Sequence, residues 1–224
     1  MVLVHMLDNQ QYGKFYLGFV RNKGQLIMDN GVYERGEPLP INLMLTYARI
    51  FKPKEIVLPD MVYDKDKTIY LMNESLRSMS PDEIDDYSIM GVVQGKDKQD
   101  WIECFNWVND NPKITTMGIH IKRLFSSPYW DSYEEGLDYI VTNKRKRVHI
   151  LGLNTKALPY IIKYKQHLRS VDSKLPVKAG ATGLNLKEKK SDYKMYSFDF
   201  NMEIPSPYMK IVKQNIKYLI EVLR

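Results

Sequence analysis

Cysteine is nearly absent from this chain. A single residue, Cys104, among 224 excludes an intramolecular disulfide and any multi-cysteine zinc site, and suits a reducing compartment. Long apolar runs are missing too. No stretch approaches the roughly 20 apolar residues that a membrane span needs, and the opening residues, with Asp8, Asn9, Gln10 and Gln11, do not read as a signal peptide. The expectation is a cytoplasmic protein without membrane contact. Internal repeats, low-complexity tracts and long Pro/Gly/Ser linkers are also lacking, which excludes solenoids and leaves one domain over residues 1–224. His5, His120, His149 and His167 fall at no metal-ligand spacing, so each reads as structural and no metal is expected.

What is present suits one well-filled core: 44% of the residues are hydrophobic, in a chain slightly long for the commonest domain size. The net charge is +6, from 33 Lys and Arg against 27 Asp and Glu. That balance leans towards a polyanionic partner, because phosphate contacts by cations release condensed counterions. Two basic runs stand out. Lys144 to Arg147 reads as a solvated helix end, where cations also suit the negative end of the helix dipole. Lys187, Lys189 and Lys190, with Lys194, Tyr193 and Tyr196 nearby and Lys174 and Lys178 upstream, interleave charge with aromatics, a composition that suits backbone contact plus base stacking.

Short apolar runs alternate with amphipathic segments of helix length, the pattern of parallel βα units. Strands are expected at Leu26 to Met28, Ile56 to Leu58, Ile89 to Val93, Thr116 to Ile121, Val148 to Leu151 and Leu168 to Val171. Helices are expected near 41–51, 68–79, 97–109, 132–143, 155–166 and 207–223, the last from Met209, Val212, Ile216, Leu219 and Leu223 at helical spacing. Pro40, Asp97 and the Ser132/Glu135 pair mark helix starts. Six such units followed by a less regular stretch, 172–206, predict an α/β fold: a compact or partly degenerate (β/α)8 TIM-like barrel, with an open doubly wound sheet as the competing architecture.

In both architectures chemistry sits at the carboxyl ends of the strands, so the first polar residues after each apolar run are the candidates. They are Asp29-Asn30-Gly31-Val32-Tyr33-Glu34, Pro59-Asp60, Gln94-Gly95, Gly118-Ile119-His120, Gly152-Leu153-Asn154 and Asp172-Ser173. Three carboxylates, Asp29, Asp60 and Asp172, are then expected at one mouth, with the Gln94 amide and the Tyr33 ring. Carboxylates crowded in a concave site have their pKa values pushed apart, which supplies one ionised nucleophile and one proton donor for glycosidic-bond chemistry. The plainer alternative is that each Asp caps the next helix or turn.

The same residues bear a family resemblance. Asp29 to Glu34 resembles the Asp-Ser-Gly-Gly-Phe/Tyr-Gln motif of tRNA-guanine transglycosylases, and Gly91-Val92-Val93-Gln94-Gly95 resembles their Gly-Ile-Val-Gln-Gly. His149-Ile150-Leu151-Gly152-Leu153 is similar to their His-Tyr-Leu-Met-Gly-Val strand, and Val171-Asp172-Ser173 stands where they have Phe-Asp-Cys. The motifs keep order and spacing over about residues 26–185.

The resemblance implies that Asp172 is the nucleophile at the anomeric carbon and Asp29 the general acid/base. It implies that Asp60 and Gln94 read the base edge, that Gly95 and Gly118 permit close backbone approach, and that Tyr33 stacks on the base. Departures matter as well. The zinc-binding cysteines of the tRNA enzymes are missing, the chain is much shorter than theirs, and Val32 and Glu34 replace a glycine and a glutamine. The short form looks closer to the phage and bacterial DNA 7-deazaguanine transglycosylases. It implies no cofactor, a DNA partner (tRNA as the alternative), a 7-deazaguanine base as small-molecule substrate and, if phage-encoded, residence in the host cytoplasm. A homodimer, as in the tRNA enzymes, stays open. Two other readings use the same residues: a nucleoside or DNA glycosidase with water as acceptor, and a catalytically dead nucleic-acid-binding barrel, against which intact Asp29 and Asp172 argue, since carboxylates repel phosphate.

Overall fold

The computed structural model describes residues 1–122, 124, 129–188, 190–191 and 204–224. The chain forms two compact units, Met1–His149 and Ile150–Arg224.

Unit 1 is a parallel sheet wrapped by helices. Its strands are β1 (Val2–Leu3), β2 (Ile27–Asp29), β3 (Glu55–Val57), β4 (Ser88–Val92) and β5 (Thr116–His120), followed by β6 (Arg147–Leu151), whose first three residues close the unit. Neighbours run β1-β2-β3-β4-β5 in chain order, all parallel, in registers such as Met28↔Ile56, Val57↔Met90 and Val92↔Gly118. A doubly wound sheet reverses its strand order at a switch point. No reversal occurs here, and the sheet is the curled, parallel half-barrel of a compact, degenerate TIM-like α/β fold. Ile56, Val57, Ile89, Met90, Met117 and Ile119 are all buried, as expected of strands covered on both faces.

Between the strands lie α1 (Gln10–Arg21), α2 (Val32–Arg35), α3 (Ile41–Phe51), α4 (Lys65–Ser78), α5 (Pro81–Asp86), α6 (Lys98–Asp110) and α7 (Tyr133–Asn143). The periodic helices stand where the spacing predicts them. In α3 the buried residues are Ile41, Met44, Leu45, Ala48 and Phe51, and in α6 Trp101, Cys104, Phe105, Val108 and Asn109, each an i, i+3, i+4, i+7 stripe. Asp97 caps α6 by accepting from the Asp100 N–H at 2.9 Å. Ser132 caps α7 by accepting from the Glu135 N–H at 3.1 Å, but the Glu135 carboxylate takes the Asp131 N–H, so the capping-box spacing yields half of that motif. The full box is Ser80 with Glu83 at the start of α5.

Unit 2 holds the end of β6, α8 (Leu158–Tyr164), β7 (Ser170–Val171), α9 (Leu175–Ala181), an antiparallel pair of β8 (Leu184–Asn185) and β9 (Lys190–Ser191), and α10 (Ser206–Leu223). The stretch read as irregular from 172 therefore begins with a helix and a hairpin. Buried Asn215 ties α10 to both: it accepts from the Leu186 N–H at 2.8 Å and donates to the carbonyls of Leu184 at 2.8 Å and Pro176 at 3.4 Å.

Candidate active site at the strand ends

The polar residues that follow β2, β3 and β4 meet in a hydrogen-bonded chain. Beyond β3 and β4 the ladder runs one residue further, Leu58 N–H to Met90 O at 2.9 Å and Val93 N–H to Gly118 O at 3.0 Å. Asp60 and Gln94 are thereby delivered to the same sheet edge. One Asp60 oxygen accepts from the Asn30 amide at 2.7 Å and the other from the Gln94 amide at 2.7 Å. Gln94 Oε1 accepts from the Tyr63 N–H at 3.3 Å. The Gln94 N–H itself points to the Cys104 sulfur at 3.4 Å.

Asp60 is 2% exposed. Burial pushes its carboxyl up to about 6, and the N–H groups of Asn30 and Gln94 oppose the rise by favouring the charged form. At neutral pH the group is thus a dry, oriented acceptor with lone pairs left over.

Asp29 ends β2 half-buried, one oxygen accepting from the Gly31 N–H at 3.3 Å. Gly31 sits at φ +73°, and a Cβ there would lie 2.4 Å from His5 Nδ1; glycine is required on both counts. The turn launches α2, which presents Tyr33 with 53% of its surface exposed. Its ring stacks on His120 with centroids 5.7 Å apart and planes 28° from parallel. The Lys122 ammonium donates to its hydroxyl at 3.2 Å.

Gly95 has a structural reason of its own. A Cβ on Gly95 would stand 2.5 Å from the Trp101 backbone N, so the close approach at this glycine is that of the α6 N-terminus. The Gly95 carbonyl accepts from the Tyr129 hydroxyl at 2.6 Å. Gly118 is buried in β5.

Asp172 belongs to unit 2, immediately past β7. Its N–H donates to Ile150 O at 3.0 Å, its carbonyl accepts from the Leu153 N–H at 3.0 Å, and one carboxylate oxygen accepts from the Gly152 N–H at 3.0 Å. Ser173 Oγ donates to Leu153 O at 2.7 Å and accepts from the Leu175 N–H at 2.9 Å, starting α9. Lys174, Lys178 and Lys187 are exposed. Lys190 is a backbone position of β9, and Lys189 lies outside the described residues. An apolar cavity of unit 2, lined by Leu153, Ile161, Leu168, Val171, Ile216 and Leu223 among others, has none of the three aspartates in its wall.

Reading the strand ends found Asp60 and Gln94, which the structure brings together. Asn30 and His120 stand among the strand-end candidates, but Asn30 has no role assigned there and His120 reads as structural; Tyr63, Cys104 and Lys122 are not among the candidates. Asn30 alone had a usable signal, an amide directly after a strand-end carboxylate. Among the described residues no three His, Cys, Asp or Glu side chains group as a metal site, and no helix is long and apolar enough to cross a membrane.

No family model and no curated protein matches the chain. The half-barrel fold is of a type that hosts many enzymes, and its chemistry has to be argued from the site.

Proposed function

We propose that this chain is a base-exchange transglycosylase that replaces guanine in DNA with a 7-deazaguanine base of the pre-queuosine type. The observation that supports the reading is the buried Asp60 held between Asn30 and Gln94 at the strand ends. A buried carboxylate beside a carboxamide matches the N–H and carbonyl edge shared by guanine and 7-deazaguanines.

In this reading Asp172 attacks the anomeric carbon, the glycosidic bond to guanine breaks, and Asp29 delivers a proton to the departing base. Asp29 then takes the proton of the incoming base, whose nitrogen attacks the same carbon and expels the Asp172 carboxylate. Two displacements retain configuration. Asp60 and Gln94 bind each base in turn, and Tyr33 stacks on it. The reaction needs no cofactor. Lys174, Lys178, Lys187, Lys189 and Lys190 supply contacts to the DNA backbone.

The test is incorporation of a labelled 7-deazaguanine base into DNA and, separately, into tRNA, by wild type and by Asp172→Ala. Label entering DNA alone, and lost in the variant, is the expected result. Label in tRNA moves the protein to the RNA-modifying branch. No label in either substrate overturns base exchange in favour of hydrolysis or of binding without chemistry.

A further inference from the structure

Asn30 is fully buried, and every polar atom of its side chain is used. Its amide nitrogen donates to Leu58 O at 2.9 Å and to Asp60 at 2.7 Å, while its oxygen accepts from the Val32 N–H at 2.9 Å. Two donors and one acceptor on so short a stem are available only from asparagine. The three bonds join three pieces of backbone: the turn that carries Asp29, the first residue of α2 ahead of Tyr33, and the end of β3 ahead of Asp60.

We infer that Asn30 is a positioning residue for base recognition, clamping the Asp60 carboxylate in one orientation and fixing the Asp29–Tyr33 turn to the same point. With Gln94 on its other oxygen, Asp60 has little freedom to rotate and presents its remaining lone pairs in one direction. Asn30 contacts no reacting atom in this scheme; it acts through Asp60. The inference rests on the function proposed above for the word "recognition", whereas the clamp is a property of the folded protein.

Substitutions separate the parts of the clamp. Asn30→Ser keeps one donor, and Asn30→Asp is isosteric but loses both donors and sets a second carboxylate against Asp60. The titratable group that faces Asp60 from α6 is Cys104, whose thiol burial pushes up to about 12, so it stays neutral across the range that matters.

The experiment follows the Asp60 side-chain carbon by NMR against pH in wild type and both variants, with binding of 7-aminomethyl-7-deazaguanine measured in parallel. Both variants are expected to raise the Asp60 midpoint, because stabilising donors to the charged form are lost. They are also expected to weaken binding by about tenfold or more, since buried groups lose their partners. Folded variants with a wild-type midpoint and wild-type binding overturn the proposal. In unaltered protein the Asn30 side-chain amide protons are expected to titrate with the same midpoint as Asp60; amide protons that stay silent while Asp60 titrates overturn the clamp without any variant having to fold. If wild type fails to bind the probe, the function reading fails, and the shared midpoint still decides the clamp.

Discussion

A carboxylate without water around it disfavours its own charge, and Asp60 shows how far hydrogen bonds offset that. Burial raises its native value from 3.8 to about 6 in spite of two amide donors. Between these values the native state keeps a proton that the unfolded chain has lost. The stabilisation is fully present below the unfolded value and disappears as pH rises through the native one. At about 1.4 kcal/mol per pH unit the difference amounts to about 3 kcal/mol. Asp60→Asn removes that dependence, so urea unfolding at about pH 4 and about pH 7 should show the variant gaining about 2 kcal/mol on wild type across the interval, since part of the difference already accrues below pH 4. An interval difference near zero contradicts the assignment, and comparing differences cancels the cost of the new amide facing old donors. Behind Gln94, Cys104 is completely buried, with its thiol pushed up to about 12 by desolvation. It should resist iodoacetamide at about pH 8 in native protein and react once unfolded; mass spectrometry of the alkylated chain distinguishes the two. Rapid native labelling would mean that the α6 face opens.

At the scale of elements, the site depends on how closely α6 meets the end of β4. A Cβ on Gly95 would lie 2.5 Å from Trp101 N and 2.8 Å from Asp100 C, both backbone atoms with no rotamer to yield. Gly95→Ala should therefore cost about 1–3 kcal/mol and displace Gln94, measured as a lower urea midpoint; an unchanged midpoint would show that the helix start yields freely. Gly180 of α9 meets α10 in the same way: a Cβ there would lie 2.5 Å from Val212 Cα and N. Sequence periodicity revealed the elements whose burial is one-sided and regular, such as α3 and α6, and the strands with continuous apolar runs. It missed β1, only two residues long, and α1, where Phe15 is 66% exposed and the apolar stripe does not coincide with a core. The short helices α2, α5 and α9 are held by caps, turns and prolines, which no 3.6-residue repeat announces. The site was legible in the same measure. Asp60 and Gln94 were found because strand ends are a topological address, whereas Asn30 and Tyr63 matter through bonds to residues 30 and 31 positions away, which spacing does not encode.

For the whole molecule the decisive quantity is which part of the chain with its +6 net charge meets a polyanion. The Lys144–Arg147 run is partly engaged: Arg145 pairs with Asp110 at 2.7 Å and Lys146 donates to Asn111 O at 2.8 Å. That fits a helix-end role better than a phosphate patch. Lys174, Lys178 and Lys187 are exposed on unit 2, in the part of the chain that holds the proposed nucleophile. If they neutralise phosphates, binding of single-stranded DNA should weaken linearly in log–log against salt, and each Lys→Gln exchange should reduce the slope by about 0.7 whatever the base sequence. Arg145→Gln should leave the slope almost unchanged. Asp172→Ala should keep the slope and bind no more weakly, because removing a carboxylate removes repulsion from phosphate. Fluorescence anisotropy with a labelled oligonucleotide over a salt series measures all of these together. Equal slopes for wild type and the three lysine variants would place the nucleic-acid contact elsewhere on the chain, and a slope lost with Arg145 would return it to the 144–147 run.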